Sequence, residues 1–391
     1  MNKSISANRP KRLLSLDIMR GITIAGMILV NNPGSWDSVY APLRHASWNG
    51  LTPTDLVFPF FMFIMGISTY ISLRKYDFTP SWPTFRKILR RTVTIFAIGL
   101  AIAWLGLFLK GIHSGKAVLD AAMNFDQIRI LGVLPRLALC YGIASVLAVT
   151  LRHKWLPVLV VGMLVTYTVL LLCGYGYEFS ERNIIAVVDR CVLGEAHMYT
   201  DWIDGVPVKL DPEGLLSTLP SVAHVLIGFW CGMLVMGTKD NDKRVQSLFI
   251  VGTILTFAGF LLSYGLPINK KIWSPTFVMT TCGLAASLLG LLMWIIDIRG
   301  HKRWCRFFEA FGVNPLFLYV LAAVMSILLS RVSVAYGDGS TSLHGWIYRA
   351  VMLPLSGGDK MLASLLFALA FVGFNWIIGY ILYKKRIYIK I

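Results

Sequence analysis

Charge is scarce in this chain of 391 residues: charged side chains make up 15% of it, against 56% hydrophobic. No stretch is polar enough over the length of an ordinary domain to fold in water, which excludes a soluble multidomain protein. Acid is scarcer than base, with 20 Asp and Glu against 37 Lys and Arg and a formal net charge of +17. In a soluble protein that excess would suggest nucleic acid; in a chain this apolar it marks basic cytoplasmic loops, so nucleic acid is not an expected partner. The six cysteines show no CxxC or Cys/His metal spacing, and no metal is expected. Cys140, Cys231 and Cys282 fall inside apolar runs, where a thiol is a small hydrophobe, while Cys173 and Cys191 share one connecting segment and are the one pair open to a disulfide. There is no repeat, no low-complexity tract and no inverted duplication of the transporter kind. The polar, basic start MNKSISANRPKR leads into an apolar run that is interrupted by Asp17 and Arg20 and has no small-residue cleavage site; it reads as a retained first helix.

What the chain has instead is apolar runs of about 20 residues, enough to cross a bilayer as helices. Ten spans are expected near 14–32, 55–73, 91–109, 130–150, 155–173, 216–236, 247–264, 275–297, 312–330 and 361–383. The class is an all-α polytopic membrane protein, with 1–391 as a single transmembrane domain and 174–215 as an exterior insertion with room for short elements. Lys and Arg gather in alternate connections, at the N-terminus, 74–91, 152–154, 239–244, 299–306 and the tail 384–390. That alternation places both termini in the cytoplasm and the protein in the inner membrane as a multi-pass chain. The connections 32–54, 110–129, 174–215, 265–274 and 331–360 then face the exterior.

This topology gathers polar residues at two ends. At the exterior end stand Asn31, Asn32, His45, Trp48 and Asp55, with Arg136 a few residues into the fourth span and Glu213, Asn269 and Trp273 in exterior loops. Each has a plainer reading. A lone histidine can cap a loop at headgroup level, and Arg136, costly in a bilayer, needs an anionic partner and can serve as an internal ion pair. In DPEG, Asp211 followed by proline is a common helix start, leaving Glu213 to face a cavity. At the cytoplasmic end are Asp17, Arg20, Arg90, Arg91 and Asn314. Asp17 and Arg20 are three apart on one helix face and can neutralise each other, and Arg90 and Arg91 can be topology signals alone. A basic inner mouth suits a nucleotide-like anion, and an outer pocket with one histidine beside carboxylates suits an amine or hydroxyl acceptor.

Ordered motifs along the chain carry a resemblance: RLLSLDIMRG, VNN, HASWNGLTPTDLVFPFFMFIMG, GVLPRLALCYG, VDRCVLGEAHMY, LDPEGLLSTLPS, INKKIWSPTFVMTT and FGVNPLFLYV. In these the sequence resembles the heparan-α-glucosaminide N-acetyltransferase family and its bacterial relatives, a branch of the transmembrane acyltransferases. HASWNGLT..DLVFP is the most specific block, and the stretch from Asn31 to His45 is a few residues longer than in the family. The resemblance implies that acetyl-CoA is the co-substrate, entering from the cytoplasm, and that the acetyl group reaches the amine of a terminal glucosamine outside. It implies His45 as the catalytic histidine, Asn31 as an asparagine near the acyl group, and Asp17 and Asp55 as the acidic residues of their motifs.

An amine must lose a proton to become a nucleophile, and an imidazole, titrating at about 6.5, takes it near neutrality. His45 is thus expected as base, or as a nucleophile through an acetyl-imidazole, with Asp55 orienting it and Asn31 donating to the developing oxyanion. CoA is expected at Arg90 and Arg91, with Asp17, Arg20 and Asn314 beside them; Trp48, Arg136, Glu213, Asn269 and Trp273 are expected around the acceptor. Expected partners are an amino-sugar or glycan acceptor, the lipid bilayer and, in a homodimer, a second copy of the chain. Two rival readings are a secondary transporter of amino sugars with His45, Asp55 and Arg136 as proton relay, and an O-acyltransferase of envelope glycans.

Overall fold

The computed structural model describes residues 13–389 except Asp204 and Asp338; the basic segment 1–12 and Lys390, both counted among the topology signals, lie outside the described residues. The protein is an all-α polytopic membrane protein. Among the described residues nine helical stretches are long and apolar enough to cross a bilayer, and a tenth is so together with a short helix bent against it. In chain order they are α1 (Leu14–Asn31), α2 (Val57–Leu73), α3 (Trp82–His113), α4 (Val133–Thr150), α5 (Leu156–Cys173), α6 (Thr218–Gly237), α7 (Asn241–Leu262), α8 (Pro275–Met293), α9 (Pro315–Arg331) and α10 (Lys360–Lys384). Each corresponds to an expected span.

The helix starts follow from local chemistry. Ser274 accepts from the Phe277 amide ahead of Pro275, Asp240 accepts from Asp242, and Asp359 accepts from Met361 and Leu362. α3 is longer than its apolar run predicts, because its first turns carry Arg86, Lys87 and Arg90 beyond the hydrophobic stretch. At the other discrepancy, the chain breaks at Asn314, where Pro315 cannot continue the helix Cys305–Val313, and the two helices meet at 82°.

Glycine sets how closely the central helices pack. A Cβ on Gly66 of α2 would lie 2.2 Å from the Val225 carbonyl oxygen, and one on Gly228 of α6 would lie 2.2 Å from that of Phe63. Gly21 and Gly312 make the same reciprocal contact between α1 and the helix Cys305–Val313. Around this core the outer helices turn apolar side chains outward. On α5, Val158, Val161, Val165, Val169 and Leu172 form an exposed stripe at helical spacing, the pattern of a lipid-facing surface.

The connections hold the remaining structure. Segment 174–215 contains the helix Ile184–Leu193 and the hairpin β1 (Thr200–Ile203) and β2 (Val206–Lys209); 331–360 contains β3 (Ser333–Tyr336) and β4 (Gly339–Ser342). Cys173 and Cys191 are both exposed free thiols, so the expected opening for a disulfide is not taken. Asn314 ties the tail to the bundle, donating to the Ile387 carbonyl at 2.8 Å and accepting from the Ile389 amide at 2.9 Å. Arg20 reaches the Gly312 carbonyl at 3.3 Å. The start of α1 and the end of α10 therefore meet at one end of the bundle, here the Asp17 end; the opposite one is the Asn31 end.

Candidate active site

The turn before α2 is built by its own hydroxyl and carboxylate. Asp55 closes a capping box with Thr52 at the short helix Pro53–Leu56: Oδ2 accepts from the amides of Ala46 and Thr52, each at 3.1 Å, and from the Thr52 hydroxyl at 3.0 Å. The Thr52 hydroxyl also meets the Arg44 carbonyl at 2.7 Å, which brings the chain just ahead of His45 back over the carboxylate. The other oxygen, Oδ1, lies 2.6 Å from His45 Nδ1. Asp55 is buried, whereas 39% of the imidazole is exposed, and Nε2 has no hydrogen-bond partner among the described residues.

A third group enters from the loop before α8. Lys270 Nζ lies 3.0 Å from His45 Nδ1 and 3.4 Å from Asp55 Oδ1. Nδ1 cannot serve both neighbours, because a nitrogen that donates to the carboxylate has no lone pair for the ammonium. The 2.6 Å contact needs a proton between its two atoms, so we assign the proton to Nδ1 and pair Lys270 with the carboxylate. Nε2 is then the basic nitrogen and points away from the pair. Burial lowers the Lys270 pKa, with Asp55 and Glu213 opposing that shift.

Asn269 holds Lys270 in place. It is buried, donates to Asn49 Oδ1 at 3.1 Å and accepts from the Ile272 amide at 3.2 Å, while Gly50 donates to the Ile268 carbonyl at 2.8 Å. The expected acceptor residues of these two loops thus act as ties. Trp48 donates to the Tyr177 carbonyl at 2.9 Å and packs edge-on to Phe179. Trp273, at 1% exposure and with φ 51°, is wedged between Phe58 and Phe277.

Glu213 extends the cluster. Its pKa is lowered: burial works against this, and Arg129 and Arg136 outweigh it, with Lys270 adding to them. Arg129 binds Asp211 through Nε at 2.9 Å and through Nη2 at 2.5 Å, and Glu213 also at 2.5 Å. Asp211 therefore does not begin a helix. It makes a turn, accepting from the Glu213 amide at 2.9 Å, and α6 starts only at Thr218, because the carboxylate is committed to Arg129. Arg129 was not singled out from sequence; the signal available was a cation in a connection assigned to the cation-poor exterior. Arg136 is fully buried, donates to the Gly214 carbonyl at 2.9 Å and to the Ser217 hydroxyl, and lies 5.3 Å over the Trp273 ring. It forms no ion pair among the described residues, so the expected anionic partner is replaced by a carbonyl, a hydroxyl and a ring face.

The Asp17 end holds a different site. A cavity of about 270 Å³ is lined by Arg20, Ser68 and Arg91, with apolar walls from Ile95, Leu137 and Leu316. Arg20 bonds Asp17 at 3.0 Å and Ser68 at 2.9 Å. Arg91 lies 4.6 Å over the Tyr141 ring, and its buried Nε has no partner among the described residues. Arg90, one residue and about 100° around the helix from Arg91, is exposed and does not line this cavity. Asn314 is spent on the tail, whose Ile389 touches the cavity.

Asn31 is exposed and lines a separate cavity of about 190 Å³ at its own end, with Asn32, Met27 and Tyr319. Arg20, Met27 and Asn31 fall on one face of α1, as Leu316, Tyr319 and Ala323 do on α9, so the two cavities are stacked along the same pair of helices. His45 lines neither.

The chain was compared with known proteins. The family profile "Heparan-alpha-glucosaminide N-acetyltransferase, catalytic" matches residues 12–266, which include His45 and Asp55. Human heparan-alpha-glucosaminide N-acetyltransferase is 30% identical over 371 residues, covering 80% of this chain and 52% of the human protein. The mouse protein of the same name is 28% identical over 371 residues, covering 81% and 53%. The chain spans about half the length of these relatives.

Proposed function

The chain belongs to the heparan-α-glucosaminide N-acetyltransferase family, and on that premise we propose that it is a transmembrane N-acetyltransferase that moves an acetyl group from acetyl-CoA to the amine of a terminal glucosamine or related amino sugar. The observation that carries the reading is the placement of the His45–Asp55 pair at one end of the bundle and a cation-rimmed cavity at the other. The residues around Arg91 suit the donor: an unpartnered buried guanidinium nitrogen fits an anionic phosphate, and the apolar walls fit a slim arm. In the cell, the Asp17 end would face the cytoplasm and the His45 end the periplasm, with the chain in the inner membrane.

When bound, acetyl-CoA supplies an acetyl group activated as a thioester. His45 takes the proton that the attacking amine must lose, through Nε2, the nitrogen its contact with Asp55 leaves basic. Asp55 holds the ring in that tautomer and stabilises the imidazolium once it forms. Lys270 balances the carboxylate between turnovers. The Asn31 amide, exposed to its cavity, donates to the acetyl oxygen as negative charge develops there. The imidazolium then returns its proton to the departing sulfur, which restores the starting state.

The test is transfer of labelled acetyl from acetyl-CoA to glucosamine-terminated oligosaccharides by membranes containing the protein. His45→Ala should abolish transfer while acetyl-CoA still binds. Full activity in that variant, or export of unmodified sugar from vesicles without acetyl-CoA binding, refutes the reading.

A further inference from the structure

A third cavity, of about 520 Å³, lies between α3, α4 and α9 at the Asn31 end. We propose that it binds the acceptor by a phosphate and a hydrocarbon tail, so that the amino sugar acetylated here is anchored in the membrane through a phosphodiester. This rests on the acetyltransferase reading above and names its substrate class.

The cavity is amphipathic along its length. From Gly99 to Lys110 the α3 wall climbs about 16 Å at the helical rise, through Ile102, Ala103 and Gly106, with Ala323 and Ile327 of α9 opposite. A soluble sugar has no use for so long an apolar wall. α3 is also largely unburied, which puts the trough within reach of lipid. At its polar end stand Lys110 and Arg331, each in the last turn of its helix. Arg129 lines the same end, but its charge is taken by Asp211 and Glu213. Lys110 and Arg331 form no ion pair among the described residues.

A cation at a helix C-terminus can simply answer the helix dipole. Dipoles do not explain why two such cations from different helices line one cavity, at the end of the protein where positive charge is not expected. The cavity also adjoins that of Asn31. Tyr319, Ala323 and Ile327 line both it and the cavity of Asn31. A phosphate held by Lys110 and Arg331 would leave its sugar beside Asn31, with the tail lying back along α3.

The experiment uses the purified full chain in nanodiscs with labelled acetyl-CoA and four acceptors: glucosamine, glucosamine 1-phosphate, dodecyl glucosaminide and the dodecyl phosphodiester of glucosamine. Phosphate and tail should each lower KM by about tenfold, for the phosphate the worth of one charge-assisted hydrogen bond and for the tail that of about two buried methylenes. Lys110→Gln with Arg331→Gln should erase the phosphate gain and keep the tail gain. Gly106→Leu should do the reverse by filling the trough, since a Cβ there meets only Ile327, at 3.9 Å. Glucosamine turnover should stay within about twofold in both variants, and direct binding of the diester should follow the same pattern. Glucosamine 1-phosphate matching the diester would overturn the membrane anchor, and four equal acceptors would overturn the whole inference while leaving the acetyltransferase standing. If no acceptor is acetylated but diester binding still depends on Lys110 and Arg331, the transfer reading falls and this site survives.

Discussion

Replacing Asp55 by Asn changes one atom and forces a choice on the side chain. With its oxygen toward His45, the amide keeps the imidazole tautomer but turns its NH₂ onto the amides of Ala46 and Thr52, two donor–donor contacts inside a buried turn. With its NH₂ toward His45, it keeps both amides satisfied and faces only Lys270 as a misplaced donor. Each unsatisfied buried group costs about 1–3 kcal/mol, so the second arrangement wins. Nδ1 of His45 must then accept a hydrogen bond, which moves the ring proton to Nε2 and leaves no base facing the amine. A general base contributes about 100- to 10,000-fold, so turnover should fall by that factor while acetyl-CoA affinity is unchanged. The loss of the charged capping box should cost stability by only about 0.5–2 kcal/mol. The assay is acetyl transfer to glucosamine by purified protein, with acetyl-CoA binding measured by equilibrium dialysis. Because Asp55 acts through His45, the double variant Asp55→Asn, His45→Ala should be no slower than His45→Ala alone. Activity within threefold of wild type, or two losses that multiply, would refute this account.

Three further outcomes are expected. Arg91→Ala should raise the KM for acetyl-CoA by about tenfold or more and leave that for glucosamine unchanged; equal shifts in both would place Arg91 outside the donor site. Gly66→Ala should destabilise α2 against α6 by about 1–3 kcal/mol, since its Cβ would sit 2.2 Å from the Val225 carbonyl oxygen; an unchanged melting temperature in detergent contradicts the packing. Burial raises the pKa of Asp189 to about 6 from an ordinary 3.8, against the opposing hydrogen bond from Leu215. A raised carboxyl stabilises the fold below its unfolded pKa and loses that contribution as pH climbs through about 6, a difference of about 3 kcal/mol. Asp189→Asn removes this titration, so its melting temperature relative to wild type should rise between pH 4 and pH 7; a constant difference would show that Asp189 does not titrate there.

Span number and position were legible in the sequence because an uninterrupted apolar run of membrane length has few alternatives to a helix. The helix ends were less so. α3 runs nine residues further toward its start than the apolar signal, since basic residues are as good in an exposed helical turn as in a loop. DPEG misled because an aspartate that accepts from the amide two residues on looks the same in sequence whether a helix or a turn follows, and only Arg129, 82 residues away, decides between them.

The candidate site divides along the same line. His45 and Asp55 are ten apart in one motif, so their pairing was within reach of local reading. Lys270 lies 225 residues from His45, and nothing in a single sequence distinguishes it from Lys271, which instead binds Asp201 at 2.6 Å. Trp273 and Arg136 were expected around the acceptor without knowledge of their neighbours, and an aromatic ring and a cation in a membrane protein are costly until they have partners. Here each supplies part of the other's environment, the guanidinium lying over the indole. The two remaining nitrogens of Arg136 have no partner among the described residues. Removing the ring would uncover a buried cation two of whose nitrogens already lack hydrogen bonds, and that penalty would appear as lost stability before it appeared as lost binding. Residues of this kind frame a site by holding its loops in place, and a substitution scan that reads only activity would count them with His45. Measuring acetyl-CoA affinity and melting temperature alongside turnover separates the two groups: Trp273→Ala should lower all three together, whereas His45→Ala should lower turnover alone.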